Sequence, residues 1–411
     1  MKALVLGGTG KIGTAVAWDL VRRDEVEKVG LVGRRPNALE EVRHFVGYAE
    51  KTTTHRVAVG ATELGDIMAQ YDVGVLALPD RKSSYQAARA AIEAQLNIVD
   101  MLEEYHRRPD PYEMEGLELP SGVSLDDYGE WLHDQAVSAE VTFLDGVGFA
   151  PGLSNITLGR AIRMLDKTDS AVARVGGVPE WEAAARRPLR YMVTWVFDHV
   201  LREYMIPVKV LQDGQIAEVP ALTEREQFRF QRFGVDYELE CAITPGMPSF
   251  IYTRPELRNF AEKTIRWPGH YQGIEVLKEC GLLDLEPVQV DGNRVVPREF
   301  LLHVLQPRLQ PESGDGDVCV MWNTAEGILK GNPARIDYYM WDEADHNTGI
   351  SSMARVTGFA TAIGAWLVGR GVIRIPGIVA PEDAIFGDLY DTFIKELEGR
   401  NIRIQEEVAA R

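Results

Sequence analysis

The sequence predicts an α/β protein, a doubly wound parallel sheet carrying a second domain of α+β type. Two observations predict it. The first 150 residues alternate short apolar runs with segments of helical periodicity, the rhythm of a parallel sheet with helices on both faces. The residues that follow lose that rhythm and carry longer β-prone runs separated by turn pairs such as Asp213-Gly214, the pattern of antiparallel strands.

The N-terminus sets the first domain. Ala3, Leu4, Val5 and Leu6 read as a buried strand, glycines at 7, 8, 10 and 13 as a turn, and Ile12, Val16 and Leu20 as one face of a helix. Strand, glycine turn and helix are the context in which a glycine motif carries meaning. Glycine lets a pyrophosphate approach the backbone closely, and the amides at the helix start then face it with the helix dipole behind them. Gly8, Gly10 and Gly13 satisfy G-x-G-x-x-G, while Gly7, Gly10 and Gly13 satisfy G-x-x-G-x-x-G, so spacing alone leaves both open. The predicted fold is thus of Rossmann type, with Gly8, Thr9, Gly10, Lys11, Ile12 and Gly13 as cofactor-binding residues.

Lys28 to Val32 is the second strand. Gly33-Arg34-Arg35 stands where a carboxylate for the ribose hydroxyls is expected. Two guanidinium groups suit a 2′-phosphate, so Arg34 and Arg35 favour NADP, with NAD as the alternative. Further strands are expected at His55–Val59, Asp72–Leu78 and Asn97–Val99, with a helix over Ser83–Ala94. Leu78 and Pro79 lie at the carboxyl edge of the sheet, where ligands bind in open parallel sheets, and Asp100 closes the next strand at the same edge. Residues 103–124 break the periodicity and read as a long loop over the cleft or at a subunit contact. A helix over Leu125–Ser138, a strand over Val141–Leu144 and the turn DGVGFAPGLSN at 145–155 complete a first domain spanning 1–150.

In the second domain, 151–350, strands are expected at Ala171–Gly177, 206–211, 235–243, Asp317–Thr324 and Ala334–Trp341, the last two as an antiparallel pair. Tyr191–Tyr204 reads as a helix in which Trp195, Phe197 and Tyr204 are packing residues. The final domain, 351–411, holds apolar helices over Met353–Val368 and Pro381–Glu398 that return to the first domain.

Composition excludes several classes. A net charge of −18 argues against nucleic acid. No apolar run approaches the ~20 residues of a membrane span, and the chain enters a strand at once, without a leader pattern. Cys241, Cys280 and Cys319 are few and widely spaced, as in a cytoplasmic protein, and the eight histidines show no metal-ligand spacing, so no metal is expected.

The motifs GFAPGLSN, GGVPE, KTIRWPGH (263–270) and TGISSMAR (348–355), in this order, resemble the saccharopine dehydrogenase-like family. Within it the lysine 6-dehydrogenase branch is more similar than the fungal saccharopine reductases. The resemblance runs nearly end to end. It implies a Rossmann domain completed by the C-terminal helices, an inserted catalytic and dimerisation domain, and hydride transfer between a nicotinamide and a carbon bearing an amine of an amino acid. The expected assembly is a homodimer. The Gly33-Arg34-Arg35 triplet departs from the NAD preference of lysine 6-dehydrogenases, and residues 103–124 are longer than the family pattern.

Such chemistry needs a proton acceptor and an anchor for the carboxylate. Arg266 and Arg190, in family-like motifs, are the candidate anchors, with Gly177 of GGVPE beside them as a substrate-binding residue. His270, Asp100 and Tyr191 are the candidate catalytic residues. The expected function is an NAD(P)-dependent oxidoreductase acting on lysine or saccharopine. Alternatives are a reductase condensing an amine with a semialdehyde, as carboxynorspermidine dehydrogenases do, and a non-enzymatic NADP-binding sensor, to which GGTGKIG bears likeness.

Overall fold

The computed structural model describes residues 1–111, 117–194 and 196–410. The chain forms two compact units: 1–160 with 247–253 and 354–401, and 161–246 with 254–353 and 402–411.

The first unit is built on β1 (Lys2–Leu6), α1 (Lys11–Leu20), β2 (Lys28–Gly33), α2 (Pro36–Val46), β3 (Thr52–Arg56), α3 (Glu63–Met68), β4 (Val73–Leu76), α4 (Arg81–Glu93), β5 (Asn97–Asp100), α5 (Leu125–Ser138) and β6 (Thr142–Leu144). The strands form a parallel sheet in the order β3-β2-β1-β4-β5-β6, and a strand the sequence did not announce, Gly377–Val379, is added beside β6. The order reverses between β1 and β4, the switch point at which such sheets leave a ligand crevice. β1 is buried because helices cover both faces of the sheet, so its run of four apolar residues needs no polar alternation. The third strand is Thr52–Arg56, earlier than His55–Val59. The β-branched run Thr52-Thr53-Thr54 pairs with Val29, Gly30 and Leu31, leaving Arg56 opposite Gly33.

The second unit holds a nine-stranded sheet. Lys167–Pro179 lies near its centre, antiparallel to Asp317–Leu329 and parallel to Asn259–Arg266. All its other pairings are antiparallel, and Asp317–Leu329 folds back on Asn332–Glu343 through Lys330-Gly331 as a hairpin. One apolar cluster of this unit gathers Tyr191, Phe197, Tyr204, Ile243, Tyr271 and Leu301. Another gathers Val178, Leu239, Ile265, Trp267 and Val320.

Three expectations are corrected. Helix forms only over Phe197–Glu203, not from Tyr191. Leu189 and Arg190 take positive φ, Tyr191 is extended, and Val193 bonds across to Leu309. Trp195 lies outside the described residues, as does part of the 103–124 segment, 112–116. Pro381–Glu398 is two helices, Pro381–Ala384 and Asp388–Glu398, separated at Gly387, whose φ is +57°. The last residues are not helical either: Ile404–Ala410 is an edge strand of the second unit, paired with Asn332–Glu343.

Candidate functional site

At the end of β1 the structure distinguishes the glycines. Gly7 has a φ of +78°, and a Cβ there would lie 2.0 Å from the Ala77 carbonyl oxygen. A Cβ on Gly13 would lie 2.5 Å from the carbonyl oxygen of Gly7. These two glycines let β1, β4 and α1 close together. Gly10 is the N-cap of α1, exposed and without a side chain to cap the helix, so the first-turn amides of Lys11, Ile12 and Gly13 face outward without a helical acceptor. Gly8 is buried against Leu31, and Thr9 lies beside Gly33. That turn fits a pyrophosphate.

Arg34 and Arg35 follow β2 at the same edge. Both are exposed, and neither forms an ion pair among the described residues. Arg56, which the sequence reading missed, stands at the matching end of β3 because Gly33 and Arg56 are register partners. Three guanidinium groups at this corner suit a 2′-phosphate. β4 stops at Leu76, so Leu78 and Pro79 lie in the turn beyond it, Leu78 packing toward Gly7, and Asp80 caps α4 by accepting from the Ser83 amide at 2.8 Å.

Asp100 does end β5, but its carboxyl is wholly buried and engaged. Oδ1 accepts from the Gly146 amide at 2.8 Å, and Oδ2 faces the Ser84 hydroxyl at 3.4 Å and His106 Nε2 at 3.8 Å. It is therefore no open carboxylate for a substrate ammonium, and the expected catalytic role is corrected to a structural one. His106, from the segment expected to be a covering loop, is inserted between two strand ends. Asp145, directly after β6, accepts from His106 Nδ1 at 2.7 Å and from its backbone amide at 2.8 Å. Ser84 lies 3.1 Å from Nε2. Burial alone would strip His106 of its proton, but Asp145 and Asp100 raise it to about 9. Burial raises Asp100 to about 8 against the pull of His106. The donor atoms of Asp100, His106 and Asp145 lie within 4.8 Å of one another. A cation there would have to displace the bonds that hold the imidazole in place. Beside this cluster Arg81 donates to Glu104 at 2.6 Å, and Tyr85 donates to Glu104 at 2.9 Å.

In the second unit the KTIRWPGH motif forms a separate polar group. Arg266 ends the Asn259–Arg266 strand, and its Nε donates to the Tyr204 hydroxyl at 3.1 Å. Tyr204 lies 3.0 Å from His270 Nε2, and His270 Nδ1 lies 2.9 Å from the Leu189 carbonyl oxygen. Burial, with Arg266 beside it, drives His270 down to about 3. With both ring nitrogens engaged and the ring neutral, His270 is no acid–base group, and that expectation too is corrected. Tyr191 is buried, its ring 5.5 Å from those of His270 and Phe197, and burial pushes its phenol well up, which removes it as a base. Arg190 lies apart, exposed, donating to the Pro268 carbonyl at 2.6 Å and resting on Trp181. Gly177 supplies space and no ligand atom: a Cβ there would lie 2.2 Å from the Met353 methyl. Of the residues expected around the substrate, Arg266, Tyr191 and Gly177 are brought together in this unit, with Thr194 beside them unforeseen.

Residues 3–144 match the saccharopine dehydrogenase NADP binding domain, and residues 148–402 the saccharopine dehydrogenase C-terminal domain. The chain belongs to the saccharopine dehydrogenase family. The glycine turn and the arginines after β2 are thus parts of an NADP-binding domain of that family. Among similar proteins, a saccharopine dehydrogenase [NADP(+), L-glutamate-forming] of Schizosaccharomyces pombe is 25% identical over 232 residues, 56% of this chain and 47% of that protein. The match thus spans about half the length of that relative. A carboxyaminopropylagmatine dehydrogenase of Synechocystis is 20% identical over 93% of both chains. The solved saccharopine dehydrogenase (L-Glu forming) of Saccharomyces cerevisiae matches with a TM-score of 0.78 over 100% of both chains at 20% identity, a likeness of fold. No helix among the described residues is long and apolar enough to cross a membrane.

Proposed function

We propose that this chain is an NADP-dependent oxidoreductase acting on a carbon that bears the amine of an amino acid, of the saccharopine or lysine 6-dehydrogenase kind. The observation that carries the reading is the pairing of a side-chain-free, uncapped helix start at Gly10 with unpaired Arg34 and Arg35 at the neighbouring strand end, within a saccharopine dehydrogenase NADP binding domain. When bound there, NADP supplies a nicotinamide as the hydride acceptor or donor. The chain's own residues hold it: the amides of residues 10–13 the pyrophosphate, and Arg34, Arg35 and Arg56 the 2′-phosphate. In the second unit, Arg266 is the anchor for a substrate carboxylate.

A second reading is supported by the near full-length likeness to a carboxyaminopropylagmatine dehydrogenase, namely reductive condensation of an amine with a semialdehyde. The experiment is a titration with NADPH and NADH, then absorbance at 340 nm with lysine, saccharopine and diamines. Turnover with an amino acid supports the first reading. Turnover only when an amine and a semialdehyde are supplied together supports the second, and tight NADPH binding without turnover supports a sensor. Replacing Arg34 and Arg35 by Ala weakens NADPH far more than NADH, and Arg56→Ala does so to a smaller degree; equal losses for both nucleotides reject the 2′-phosphate assignment.

The residues 151–350 serve as the inserted substrate and dimerisation domain in this reading. The protein is a homodimer, and sedimentation at 45.9 kDa at micromolar concentration would refute that. Three free thiols suit a cytoplasmic protein.

A further inference from the structure

Three buried polar side chains of the second unit meet without satisfying one another. Arg266 is 4% exposed, yet its guanidinium makes only two hydrogen bonds, from Nε to the Tyr204 hydroxyl and from Nη1 to the Ile265 carbonyl. No carboxylate among the described residues comes within ion-pair distance of it. Tyr191 is 1% exposed, with its ring centre 5.5 Å from the guanidinium carbon, and its hydroxyl lies against Thr194 without a hydrogen bond of proper geometry to any of the described residues. Thr194 is 7% exposed and sits beside that phenol, and its Oγ1 likewise forms no hydrogen bond of proper geometry.

The backbone explains the meeting. The strands Lys167–Pro179 and Asn259–Arg266 run parallel with Val175 opposite Thr264, so Gly177 and Arg266 each lie two residues further along. A Cβ on Gly177 would lie 3.7 Å from Thr194 Oγ1, which brings the threonine to the arginine's end of the sheet. Both nitrogens of the neighbouring His270 are already engaged.

A buried donor without a partner costs about 1–3 kcal/mol, and a buried cation without an anion costs more. Two such hydroxyls beside a buried guanidinium that lacks an anion are expensive unless a ligand answers them. The ligand must be anionic, for Arg266, and must accept from two hydroxyls. One carboxylate does this with its two oxygens. We propose that Arg266, Tyr191 and Thr194 form a receptor for a single carboxylate, and that the two hydroxyls make it selective for an amino acid over the corresponding decarboxylated amine. The identity of that ligand rests on the amino-acid reading above; the test uses binding alone.

The full chain is titrated calorimetrically with L-saccharopine, L-lysine, glutarate and 1,5-diaminopentane, as wild type, Thr194→Val and Tyr191→Phe, and the thermal midpoint of each is measured without ligand. The expected result is that at least one carboxylate probe binds and the diamine does not. Each variant binds that probe about tenfold or more weakly, as for a lost hydrogen bond to a charged group. Each also keeps or raises the ligand-free midpoint, because the hydroxyl removed had no partner. A lowered midpoint makes the hydroxyls structural and overturns the proposal. So does unchanged affinity in both variants, equal binding of the diamine, or no carboxylate binding at millimolar concentration by wild type. Carboxylate binding without any turnover of NADP would fail the oxidoreductase reading and leave the receptor standing.

Discussion

Two histidines are wholly buried, one in each unit, and their surroundings drive them in opposite directions. His106 is set against Asp145, which holds its proton up to about pH 9. His270 is set beside Arg266 and a tyrosine hydroxyl, and sheds its proton down to about pH 3. Burial penalises the imidazolium in both places. What differs is the sign of the neighbouring charge, and in a dry interior that sign decides. Each ring is therefore fixed in one protonation state across neutral pH. That suits holding a structure together.

The sharpest way to break this contrast is to remove the anion under His106. Asp145→Asn leaves an imidazolium facing a neutral amide, and unfolding by denaturant should show a loss of about 3–5 kcal/mol at pH 7, as for a broken buried pair. A loss under 1 kcal/mol would mean that His106 is neutral when folded.

A smaller effect isolates His270. Between pH 6.5 and about 3 the unfolded chain binds a proton that the folded chain refuses, so this residue lowers stability as the pH falls. The gap between wild type and His270→Gln should move in favour of the variant by about 2 kcal/mol from pH 6.5 to 5, at about 1.4 kcal/mol per unit. A gap independent of pH would refute the neutral assignment.

The smallest effect belongs to Asp100. Its folded pKa of about 8 lies above the ordinary 3.8, so the folded chain holds a proton that the unfolded chain has released, and stability falls as the pH rises through that window. Asp100→Asn should gain on wild type by about 1 kcal/mol between pH 7 and 8. From about pH 4 to 6.5 the slopes of Asp100 and His270 oppose each other. Wild type alone then shows little pH dependence from them, and the two variants are needed to expose it.

How much of this was legible depends on distance along the chain. The glycine turn, the helix over Leu125–Ser138 and the hairpin Asp317–Leu329/Asn332–Glu343 depend on neighbours within a few residues, and periodicity reports them. The arginines after β2 were legible for the same reason, since they stand at a fixed offset from the motif. Arg56 was not, because only the register of β2 against β3 brings it to Gly33. His106 lay hidden in an aperiodic segment whose burial depends on Asp145, 39 residues on. The family-like motifs pointed to Arg266, Tyr191 and Gly177, while Thr194 was read as part of a helix that Leu189 and Arg190 prevent from starting.

By itself, then, the sequence determined the parallel sheet, the side of it that receives a dinucleotide, and the family, since these rest on local pattern and ordered motifs. Only the tertiary structure decided which polar residues remain without partners and which protonation state each buried one keeps. Residue type supplies an ionisable group; burial removes its water, and the charges that folding brings within a few ångströms from distant segments then set what it can do.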